Sequence, residues 1–168
     1  MKNTRGFTLI EMIAVFVIIG VLAAAVAPMA LHALRAYDAT LNSVRTLDKL
    51  RYATERLARE MRAVNHNGTS FDFTSMSTTA PVFTKTDGTT VRIGTTITPP
   101  AVTLGYSTTL TPTLTDQLST LAFAYFEQNG TTSTTSTTNV RYVEIALTLS
   151  LGTQTYVQRT RVALRDRI

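Results

Sequence analysis

Three patterns of hydrophobic and polar positions follow one another along the chain. Residues 12–31 read MIAVFVIIGVLAAAVAPMAL, an almost wholly apolar run with no charge. Its Leu, Ile, Val, Met and Ala content predicts a helix, and twenty residues at ~1.5 Å each span about 30 Å, the hydrocarbon thickness of a bilayer. The apolar positions then thin to a stripe: Leu34, Tyr37, Leu41 and Val44, continued by Leu47, Leu50, Leu57, Met61 and Val64, with Thr54 filling one slot. This is the spacing of an amphipathic helix. Arg35, Asp38, Arg45, Lys49, Arg51, Glu55, Arg56, Arg59, Glu60 and Arg62 fall on the other face, and Glu55–Arg59 has the favourable i, i+4 order. The two patterns predict one helix over residues 7–64, roughly 85 Å long. Asn65-His66-Asn67-Gly68 is expected to stop it, with Gly68 in the C-cap region.

The third pattern is alternation. Residues 82–86 and 89–93 flank Asp87-Gly88, the signature of a hairpin. Pro99-Pro100 is expected to break the chain before a short strand at 101–106. Residues 118–127 place Leu121, Phe123 and Tyr125 on one face, and Val143, Ile145, Leu147, Leu149 and Leu151 alternate over five positions. Gly152 turns the chain into a last strand at 156–164. Residues 129–139, NGTTSTTSTTN, are low in complexity and are expected to form an exposed hairpin loop. The fold class is therefore α+β: a long N-terminal helix, membrane-spanning in its first half, whose second half packs on a small antiparallel β-sheet domain.

Composition sharpens the division. Of 33 threonines, five lie in residues 1–68 and 28 beyond, where their strand propensity suits them. Residues 35–64 hold 11 charged side chains, whereas the last 100 residues hold 13. The absence of Cys excludes a disulfide framework, a thiolate metal site and a cysteine nucleophile. Two histidines, His32 and His66, make a His-rich metal site impossible. No nucleophile elbow, phosphate-binding glycine loop or metal-spaced carboxylate set is present. No catalytic residue, metal or cofactor is expected, and the enzyme class is set aside.

Charge gives the N-terminus its orientation. Lys2 and Arg5 precede the apolar run, and the positive-inside rule then keeps the N-terminus cytoplasmic. Between Arg5 and Arg35 the only charge is Glu11. A carboxylate there is costly in lipid unless it meets a cation.

Residues 5–11, Arg-Gly-Phe-Thr-Leu-Ile-Glu, with the apolar helix they open, closely resemble the signal of the type IV prepilins. The resemblance covers about residues 1–34 and implies a pilin fold. It implies cleavage between Gly6 and Phe7 by a membrane-embedded prepilin peptidase, N-methylation of Phe7, and pairing of Glu11 with the Phe7 amine of a neighbouring subunit. Pro28 matches the proline that kinks the helix of such proteins. Loss of the leader leaves 14 basic against 11 acidic residues, a net charge of +3. The expected organisation is a leader at 1–6, an assembly helix at 7–34, an amphipathic spine at 35–66 and a β-rich domain at 67–168. Residues 57–62, 121–125 and 140–147 also resemble minor pilins and J-type pseudopilins, more loosely. The chain lacks the cysteine pair of many major pilins.

A competing reading takes Ala25-Val26-Ala27 as a signal-peptidase site, with a secreted chain starting at Pro28. Glu11, the length of the apolar run and the helical periodicity continuing past the cut oppose it. The resemblance implies a structural subunit of a type IV pilus or related fibre. Its partners would be other pilin or pseudopilin subunits, the prepilin peptidase, an inner-membrane assembly platform and the membrane itself. The β domain would be periplasmic before assembly, then extracellular on a pilus or periplasmic on a pseudopilus. The alternatives are a J-type subunit of a type II secretion pseudopilus, and a tip adhesin or DNA-uptake minor pilin. The last would contact DNA or a host surface through Arg159 and Arg161, which alternate onto one strand face.

Overall fold

The computed structural model describes residues 8–107 and 112–165. Among them are one α-helix, α1 (Leu9–Arg62), and eight strands: β1 (Phe73–Ser75), β2 (Val82–Thr84), β3 (Thr90–Ile97), β4 (Pro100–Tyr106), β5 (Thr113–Asp116), β6 (Leu118–Phe126), β7 (Tyr142–Leu151) and β8 (Gln154–Ala163). The chain is α+β, as the hydropathy pattern predicts. It divides into two compact units, Met1–Ser43 and Val44–Ile168.

In the first unit every side chain from residue 8 to residue 40 is exposed. An 18-residue window of α1 has a mean hydropathy of 2.8, and none of it is buried. A helix that is apolar all round and covered by nothing of its own needs lipid or other helices around it. The helix continues through Pro28.

In the second unit α1 buries Thr46, Leu50, Ala53, Thr54, Leu57, Ala58, Glu60 and Met61. This differs from the hydropathy stripe. Val44 and Leu47 are about half exposed, and Leu34 and Tyr37 belong to the uncovered first unit. Small residues explain part of the shift: Ala53 and Ala58 are buried but contribute little hydropathy, so the apolar stripe does not report them. Burying Leu50, Leu57 and Met61 contributes ~1.5–3 kcal/mol each. The helix ends slightly early, closed by the Ala63 amide to Glu60 O and the Val64 amide to Met61 O, at 3.0 and 3.4 Å. Gly68 (φ +89°) instead serves the following turn, where the Asn67 side chain accepts from the amides of Thr69 and Ser70.

Both sheets are antiparallel, one ordered β1-β2-β3-β4-β5 and the other β6-β7-β8. The Asp87-Gly88 hairpin forms as read, with Thr84 opposite Thr90, Gly88 at φ +79° and the Asp87 carboxylate accepting from the Thr89 amide. Pro99-Pro100 does not break the chain but joins β3 to β4, with Ile97 opposite Pro100. β5, the short Thr-Leu-Thr-Asp run, carries too little alternation to be legible. The strongest alternation holds: Leu121, Phe123 and Tyr125 lie opposite Leu147, Ile145 and Val143, all buried. Leu151, the fifth alternating position of β7, is only half-buried.

The Thr/Ser loop is more structured than its composition suggests. The Asn129 side chain accepts from the Thr131 and Thr132 amides, Thr134 N donates to Tyr125 O, and Thr137 O accepts from Phe71 N. Backbone hydrogen bonds, which composition does not encode, fold it back on the domain.

Candidate functional site

The start of α1 is built from Thr8 and Glu11. The Thr8 amide and hydroxyl each donate to Glu11 Oε2 at 3.1 Å, and the Glu11 amide donates back to Thr8 Oγ1 at 3.4 Å. This is a reciprocal capping box, satisfying backbone donors that a helix N-terminus leaves open. Its signal, Thr-x-x-Glu, stands plainly in the sequence, but the sequence reading gave Glu11 only an intermolecular role. Glu11 remains exposed, so the cap leaves the carboxylate open to a further cation. Gly6 and Phe7 lie outside the described residues.

Residues 1–27 match the family model for the prokaryotic N-terminal methylation motif. The chain carries the type IV prepilin signature. The prepilin motif thus coincides with the capped start of α1 and most of its uncovered apolar run. No curated protein and no solved structure matches the chain, so the likeness to prepilins rests on residues 1–27 and on the helix-then-sheet architecture.

Arg159 and Arg161 do share the outward face of β8, opposite Ala146 and Glu144. They differ in commitment. Arg161 donates to Glu144 Oε2 at 2.9 Å and to Gly130 O at 2.8 Å, and its guanidinium sits 4.6 Å from the Phe126 ring centroid. It ties the Thr/Ser loop to β7 and β8. Arg159 is exposed and makes no ion pair among the described residues.

The charged face of α1 hides a second arrangement that sequence reasoning missed. Glu60, expected on the solvated face, is only 4 % exposed. The Tyr106 hydroxyl donates to its Oε1 at 2.6 Å, Arg56 approaches at 3.1 Å and Lys85 at 3.6 Å. Arg56 also donates to the Tyr106 hydroxyl at 2.6 Å, and both cations lie within 6 Å of the Tyr106 ring centroid. The helix pair that forms is thus Arg56–Glu60; Glu55–Arg59 makes no ion pair among the described residues.

The hydrogen bond to Tyr106 holds the Arg56 guanidinium above its ordinary value. Burial and the bond to Glu60 push the Tyr106 phenol up. Burial pulls the Lys85 ammonium down, but its bond to Asp87 and the attraction of Glu60 leave it raised. A chain of charge-assisted bonds between a helix and two strands is a staple. Only Arg56 and Glu60, four apart, gave a sequence signal; Lys85 and Tyr106 reach them through the fold.

Proposed function

We propose that this chain is a structural subunit, a minor pilin or pseudopilin, that assembles through its N-terminal helix into a type IV pilus or related fibre. The observation that carries this reading is a prepilin motif running directly into an apolar helix with no buried face. In this reading prepilin peptidase cuts between Gly6 and Phe7, and the Phe7 amine is methylated. The 7–34 segment anchors the subunit in the inner membrane with the β domain outside the cytoplasm. It then packs against the helices of other subunits, with Pro28 as its point of bending. Glu11 pairs with the Phe7 amine of a neighbour, a contact worth most in a medium of low dielectric. The role is structural, not catalytic.

N-terminal sequencing of the mature protein tests the reading. A methylated Phe7 is the expected first residue. A mature chain starting at Pro28 would sink the proposal and establish ordinary secretion.

A further inference from the structure

Beyond assembly, the second unit carries a cavity lined largely by arginines. A cavity of about 260 Å³ is lined by Arg59, Arg62, Ala63, Val64, Thr86 and Arg165. Three chain segments meet there: the end of α1, the β2–β3 turn and the chain following β8. Three arginines and one threonine line it, and among the described residues no acidic residue does.

Two acids close to this lining in sequence, Glu60 and Asp87, are engaged elsewhere. Glu60 is taken up by Tyr106, Arg56 and Lys85, and Asp87 by Lys85 and the Thr89 amide. Among the described residues Arg59, Arg62 and Arg165 make no ion pair. The carbonyls at the helix end do not neutralise them either, because Glu60 O, Met61 O and Ala63 O already accept from the amides of Ala63, Val64 and Thr86. The negative end of a helix amounts to roughly half a charge, small against three arginines.

Like charges converging without a counter-charge favour an anion, and guanidinium forks bind tetrahedral oxyanions in bidentate fashion. The volume of this open cleft suits a compact group rather than a long chain. We propose that this cavity is a binding site for a compact phosphate-type oxyanion, held by Arg59, Arg62 and Arg165 with Thr86 as a further donor.

The test uses the full chain in detergent, titrated with inorganic phosphate by calorimetry at fixed ionic strength. Saturable binding is expected, with sulfate competing. The double variant Arg59→Gln/Arg62→Gln and the single variant Arg165→Gln should each weaken it by about tenfold or more, while Arg159→Gln leaves it unchanged. Thermal unfolding without phosphate checks that the variants remain folded. Equal loss in Arg159→Gln would show general charge screening and overturn the site. So would capture of an oligonucleotide without competition by phosphate, which would mean an extended polyanion surface. Phosphate binding seen only in Asp166→Asn would overturn it too, because the chain's own carboxylate would then be the occupant.

Discussion

The Tyr106 hydroxyl donates to Glu60 Oε1 across 2.6 Å, joining the last turn of the helix to the end of β4. A carboxylate this buried is tolerated only because Tyr106, Arg56 and Lys85 surround it. Tyr106→Phe keeps the ring and its contacts with both cations but removes the donor. It should cost about 1–3 kcal/mol of unfolding free energy, the range for stranding a buried polar partner. Chemical denaturation of the variant beside the parent measures this. An unchanged midpoint would mean that the two cations suffice for Glu60.

Alkaline pH should weaken the fold. Burial pushes the Tyr125 phenol well up, and Tyr106 is raised by burial and its bond to Glu60; both begin from an ordinary value of 10.0. As pH rises, the unfolded chain loses these protons first, so the folded state holds more protons and stability falls. Their contribution is full below about pH 10 and is lost as pH climbs through the folded values. Lys85, also raised, acts in the same sense from 10.5. Melting temperature measured against pH should fall on the alkaline side, and less steeply in Tyr125→Phe. Equal slopes in the two proteins would remove Tyr125 from the account.

Two variants separate the capping contacts of Glu11 from its proposed pairing with a neighbouring subunit. Glu11→Ala loses both cap and charge, and should leave leader cleavage intact while blocking entry into fibres. Glu11→Gln keeps an oxygen that can accept from Thr8, but carries no charge. Failure of Glu11→Gln to assemble, read from the sheared-fibre fraction, is the outcome charge pairing requires. Normal fibres from this variant would mean that the cap alone matters. Thr8→Ala should cost the helix start about 1 kcal/mol.

Arg161 should act as a clamp. Arg161→Ala releases Glu144, Gly130 O and the Phe126 ring together, and limited proteolysis should then cut within residues 129–139 faster than in the parent. Arg159→Ala, without those contacts, should leave the cleavage rate unchanged. If a polyanion binds this face, its affinity should fall steeply with salt. Loss of that binding in Arg159→Ala would favour the DNA-contact reading.

The chain's own order of residues determined the long helix, the apolar segment with its single carboxylate, the Asp87-Gly88 hairpin and the alternating strands β6 and β7. These rest on local signals: helical or twofold periodicity, turn chemistry and a motif of fixed spacing. The capping box, Thr8-x-x-Glu11, is an equally local signal.

Tertiary structure alone decided which charges are exposed and which are committed. Glu60 looks like any other acid on a charged helix face until Lys85 and Tyr106 are brought to it from β-strand ends 25 and 46 positions away. Arg161 looks free until Gly130, 31 positions back, reaches it. The convergence of Arg59, Arg62 and Arg165 likewise depends on where β8 delivers the chain. Periodicity reports which face of an element turns inward. It says nothing about the partner met there, because that depends on strand register and on packing among elements distant in sequence.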